Sequence, residues 1–100
     1  MNWLEILIGG LIIGAGAAGA IFLAKLAYDA LTSWMDKNRR PDSTHATFIK
    51  EKLASGKVRI VGGVFNKNRE KTATQTWEGE LGDDLKQKFA DRDTLTVRYT

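Results

Sequence analysis

Between Ile6 and Ala24 the chain runs ILIGGLIIGAGAAGAIFLA, with no charged or strongly polar side chain. At 1.5 Å per residue a helix over that stretch would be roughly 28 Å long, close to the hydrocarbon thickness of a bilayer. In lipid, a helix is the only single-segment way to satisfy every backbone donor and acceptor. The run therefore predicts one membrane span, with the remainder of the chain on one side of it. A cleaved leader is not expected. The residues before the run include Glu5 and no Lys or Arg, and the run exceeds the usual apolar length of a leader.

Basic residues set the expected orientation. Lys25, Lys37, Arg39 and Arg40 follow the run and none precedes it. That asymmetry predicts an N-terminus outside and a C-terminal domain on the cytoplasmic side or its equivalent. Trp3, Tyr28 and Trp34, together with those four basic residues, are the candidate membrane-interface residues. Within the run, Gly10, Gly14, Ala17 and Ala18 make one row of small residues, and Gly16 and Ala20 belong to a second. This spacing lets another helix approach closely, so these six are the candidate helix-packing residues. The partners so implied are membrane lipid and other transmembrane helices, in a hetero- or homo-oligomer.

Leu23, Leu26, Ala27, Ala30, Leu31, Trp34 and Met35 recur at three-and-four spacing and predict an amphipathic continuation of the helix to Arg40. Pro41 disfavours helix at the residue before it. The chain thus divides into residues 1–40, a linker at 41–43, and a small domain at 44–100. Thr44 to Ser55 predicts a helix burying Phe48, Ile49 and Leu53, with Gly56 as its stop. Val58 to Phe65 and Lys71 to Glu80 predict a β-hairpin closed by Asn66–Arg69. Gly62-Gly63 marks a bulge or a close backbone approach within it.

Leu81, Leu85 and Phe89 lie four apart and predict a helix over Gly82 to Ala90. Thr94 to Thr100 alternates and predicts a terminal strand. The fold class expected is α+β: a transmembrane helix with its amphipathic extension, then helix, hairpin, helix and strand. Its three strands form an antiparallel sheet of order 2-1-3. Val58, Ile60, Trp77, Leu95, Val97 and Tyr99 face the helices, while a Thr-rich face with Arg59 and Arg98 stays open.

The inventory of reactive groups is short. The chain has no cysteine and one histidine, which excludes a disulfide framework, a thiolate nucleophile and a nitrogen–sulfur metal cluster. His45 reads as an exposed or capping residue at a helix start. Asp83, Asp84, Asp91 and Asp93 are explained by helix ends. No catalytic, cofactor-binding or metal residue is expected. Lys67, Arg69 and Lys71 cluster at the hairpin tip and are the candidate anion contacts. Nucleic acid is not the expected partner: Trp77 has the parity of the core, and net charge is only +3.

The function expected is a non-catalytic accessory or scaffold subunit of a larger membrane assembly. It would act through the small-residue helix face and through a protein partner of the α+β domain. Two alternatives are a homo-oligomeric ring or pore, and a membrane-tethered binder of anionic lipid or nucleic acid.

Overall fold

The computed structural model describes residues 20–99. Five strands and two helices follow in the order β1 (Ala20–Leu26), α1 (Tyr28–Lys37), β2 (Ser43–Lys52), β3 (Val58–Asn66), β4 (Lys71–Leu81), α2 (Asp83–Phe89) and β5 (Thr94–Arg98). The strands make one mixed sheet of order β1-β4-β3-β2-β5. β1 runs parallel to β4, and every other neighbouring pair is antiparallel.

The β3–β4 hairpin forms where alternation of β-branched and polar residues calls for it. Ile60 stands opposite Trp77 and Val64 opposite Ala73. The pairing of β3 runs unbroken through Gly62 and Gly63 on both sides. The two glycines are thus a close approach and not a bulge: a Cβ on Gly62 would lie 2.7 Å from the Phe48 ring.

Both helices lie on one face of the sheet. Leu31 and Met35 of α1, and Leu85 and Phe89 of α2, are buried in one cluster with Ala46, Phe48, Val58, Ile60, Val64 and Trp77. Each helical pair is four residues apart, so it presents one face to the sheet. Leu95, Val97 and Tyr99 pack against the rim of the same cluster. Trp34 meets Trp77 edge-on at 5.3 Å between ring centroids and Phe48 at 6.1 Å. α1 has no capping side chain of its own at Ala27. Instead the Tyr28 backbone N–H donates to Asp84 Oδ2 at 3.2 Å, so a carboxylate at the start of α2 serves the start of α1.

Three expectations are corrected. First, the apolar run does not continue as helix into α1. Ala20 to Leu26 form a strand, which pairs Ala20 with Thr76 and Leu26 with Leu81. Gly79 makes room for it, because a Cβ there would collide with the Leu23 carbonyl oxygen. Among the described residues no helix is long and apolar enough to cross a membrane. The single-pass architecture, and with it the placement of an N-terminus outside and a domain on the cytoplasmic side, therefore lacks support. The rest of the apolar run, including Gly10, Gly14, Gly16, Ala17 and Ala18, lies outside the described residues, as does Trp3.

Second, Thr44 to Ser55 is not a helix but the greater part of β2 and the turn after it. Ala46, Thr47, Phe48 and Ile49 are all buried, so this strand carries no alternation for the sequence to display. Third, with β2 present, β5 pairs with it and not with β3, giving five strands of order β1-β4-β3-β2-β5 in place of three in order 2-1-3.

Gly79→Ala should undock β1 and cost about 1–3 kcal/mol through the clash. Hydrogen exchange should show protection lost over residues 20–26 while β3 keeps its own. Phe48→Ala should cost about 3–5 kcal/mol in chemical denaturation, the range for a fully buried aromatic.

Candidate functional site

One end of the sheet gathers cations. The β3–β4 turn is built around Asn66, whose Oδ1 accepts the N–H groups of Asn68 and Glu70, both at 2.9 Å. Its Nδ2 donates to Glu70 Oε1 at 3.1 Å. The side chain substitutes for main-chain partners in a tight turn, which explains why a buried Asn is tolerated there. Lys67 is pinned at its backbone, its N–H donating to the Asp42 carbonyl at 3.0 Å. Arg69 takes a left-handed φ of 63° to close the turn.

Beside this turn run β2 and β5. Their register sets His45 opposite both Phe65 and Arg98. Thr44, His45, Asn66, Lys67, Arg69, Thr96 and Arg98 line a cleft of about 390 Å³. Among the described residues, the lining contains three cationic side chains and no carboxylate. The His45 ring stacks on Phe65, with centroids 5.4 Å apart and planes at 16°, and its Nδ1 shares a 2.8 Å hydrogen bond with the Thr44 hydroxyl. Burial pushes the imidazole pKa below its ordinary value, and the charges of Arg98 and Arg69 push it the same way. The cleft thus favours the neutral form of His45.

Two other clefts lie toward the opposite end. One, of about 480 Å³, is lined by Lys25, Lys52 and Lys86 but also by Glu80 and Asp83, so its charges offset one another. The other is framed by Phe22, Leu23, Leu53 and Gly79 beside β1. Neither presents charge of one sign.

Of the three hairpin-tip cations singled out in the sequence, Lys67 and Arg69 come together in the cleft. Lys71 begins β4 outside its lining. His45, Arg98, Asn66 and Thr96 were not legible as site residues, because their convergence depends on the β2–β5 pairing.

The residues expected at a membrane interface take ordinary places in the fold. Lys25 is exposed on β1 opposite Glu80. Tyr28 begins α1 with Lys88 Nζ 4.8 Å over its ring, and Trp34 is part of the aromatic core. Lys37 closes α1, Arg39 lies 5.1 Å over the Tyr99 ring, and the Arg40 N–H donates to Ser43 Oγ at 2.9 Å. Ala20, expected in a helix-packing row, opens β1. Phe65 and Trp77 are buried and offer no stacking platform. Comparison with known proteins finds no matching family model, no matching curated protein and no matching solved structure.

The lowered imidazole pKa fixes a pH dependence. Free in the unfolded chain, His45 protonates near 6.5; in the folded protein it protonates only at lower pH. Between those two values the unfolded state binds more protons, so falling pH favours unfolding. Stability from this group is complete above about pH 6.5 and is lost progressively below it. His45→Gln should flatten the wild-type decline between pH 7.5 and 5.5 when denaturant midpoints are compared.

Proposed function

We propose that this protein is a non-catalytic interaction module, an accessory or scaffold subunit that engages an anionic segment of a protein partner at the cleft between the β3–β4 turn and β5. The observation that carries this reading is the single sign of charge there: Lys67, Arg69 and Arg98 converge with His45, and among the described residues no carboxylate lines the space. Opposed phosphate or carboxylate groups would gain charge-assisted hydrogen bonds from the two guanidinium groups. A protein segment fits better than single-stranded nucleic acid, because the aromatic residues nearest the cleft are buried or already stacked. The ring or pore reading rested on the Gly/Ala rows as a membrane span and is not carried forward.

A fluorescently labelled polyglutamate peptide is a direct probe. Anisotropy at low salt should show saturable binding that weakens as salt rises, as expected for exposed charges. The double variant Lys67→Glu/Arg98→Glu should weaken it at least about tenfold, the scale of losing two charge-assisted contacts. Binding should tighten from pH 7.5 to 5.5, because protonated His45 adds a third kind of donor. Equal affinity in the double variant, or tighter binding of a single-stranded oligonucleotide than of the peptide, would overturn the reading.

A further inference from the structure

The outer edge of β5 runs beside the cationic cleft, and we infer that the partner segment binds there as an added, extended strand. Such a mode presupposes the anion-binding function proposed above and supplies its geometry. β5 ends the sheet order and, among the described residues, pairs only with β2. Two hydrogen bonds fix which of its main-chain groups face outward. The Lys50 N–H donates to the Asp93 carbonyl at 2.8 Å, and the Tyr99 N–H donates to the Thr44 carbonyl at 3.1 Å. In an antiparallel ladder, residues that bond toward the partner strand alternate with residues that face away from it. Asp93 and Tyr99 set the phase. Leu95 and Val97 therefore also bond toward β2, while Thr94, Thr96 and Arg98 turn their N–H and carbonyl groups to the outer edge.

Side chains follow the same alternation. Leu95, Val97 and Tyr99 pack against the helix-side cluster, whereas Thr96 and Arg98 line the cleft on the other face. The residues whose main chain points outward are thus the ones whose side chains border the cationic space. An added strand would place alternate side chains directly opposite Thr96 and Arg98, with Cβ atoms about 4.5–5.5 Å from theirs. Acidic groups at those positions would enter the cleft that Arg98 shares with His45 and Lys67. The intervening side chains would lie beside Leu95 and Val97, which are only partly buried.

Charge complementarity selects the occupant. Thr96 and Arg98 are exposed, so side chains of an added strand have access to the cleft. A segment with acidic groups at every second position matches that face, while the main-chain ladder holds it irrespective of sequence. A second copy of this chain is a poorer match, because its own β5 would bring another Arg98 and no carboxylate to the edge. β1, the other end strand, exposes Ile21, Phe22 and Leu23, and the cleft beside it includes both Lys57 and Glu78. It offers an acidic strand no comparable field.

Labelled peptides of one length and composition test this on the full chain by anisotropy. One alternates glutamate and threonine; the other carries its glutamates in adjacent pairs, so successive positions on one face are never both acidic. The alternating peptide should bind at least about tenfold more tightly, the scale of one charge-assisted contact. It is then N-methylated at every glutamate or, separately, at every threonine. Only alternate amides of an added strand face β5, so one pattern should weaken binding at least about tenfold and the other less than about twofold. Thr96→Pro removes an outward N–H that β2 does not use, and should weaken binding about threefold or more. If that variant does not fold, the methylated pair decides the matter on the unaltered protein. Charge-dependent binding with equal affinity for the two methylated peptides overturns strand addition and leaves the anion-binding function standing. Absence of binding by these peptides and by polyglutamate overturns both. A dimer that dissociates in Thr96→Pro would make a second copy the occupant and likewise overturns the inference.

Discussion

The Phe48 ring packed against Gly62 is the contact from which the helix layer takes its position. With no side chain at residue 62, the ring sinks to the level of the strands and leaves space for Trp34 and Trp77 to meet it from two sides. Edge-on and tilted aromatic pairs of this kind contribute beyond their buried area. Once Trp34 is fixed, Leu31, about one turn before it, and Met35, the next residue, fall onto the sheet. The Tyr99 hydroxyl then donates to the Met35 carbonyl at 2.7 Å, tying the residue after β5 to α1. Asp84 links the two helix starts in the same layer. A domain of this size has little apolar area in reserve, so cross-links between layers matter more than in a larger one.

Charge is distributed along the sheet in a way that separates structure from binding. In the middle, Arg59 sits between Glu51 and Glu78 across three strands, at 3.8 and 3.3 Å. That arrangement offsets a partly buried guanidinium with two carboxylates and fixes side-chain register. At the β1 end lysines and carboxylates alternate. At the turn end, cations prevail among the described residues that line the cleft. Like charges so placed repel, and their persistence in a cleft open to water is tolerable because solvent screens them.

The elements that the sequence made legible are those with an uncomplicated periodicity. α2 and β5 each show a more exposed and a more buried side, the hairpin is marked by its β-branched residues and the turn between its strands, and each lies within about two residues of its expected bounds, the usual uncertainty of element ends. β2 was misread because its central four residues are buried on both sides. Phe48, Ile49 and Leu53 then imitate a helical stripe. Gly56 compounded this: a glycine closing a helix and a glycine at φ +90° in a strand-to-strand turn look identical in sequence. β1 was misread for a different reason. An apolar run of that length satisfies the rule for a span, and what makes its last residues a strand is pairing with β4, more than fifty positions away by the register of Ala20 with Thr76.

Omitting one strand had consequences beyond topology, because the candidate site is a product of that strand's position. In the order 2-1-3, Arg98 would lie beside β3 and His45 on a separate helix, with no reason to meet. Inserting β2 between β3 and β5 brings His45 against Phe65 on one side and Arg98 on the other, while the Asn66 turn folds Lys67 and Arg69 over the same end. Burial at this position also lowers the His45 pKa, and the charges of Arg98 and Arg69 act in the same direction. Both effects favour the neutral ring. An arriving anion offsets the two guanidinium charges that oppose protonation, so anion and proton uptake must be coupled in the same sense.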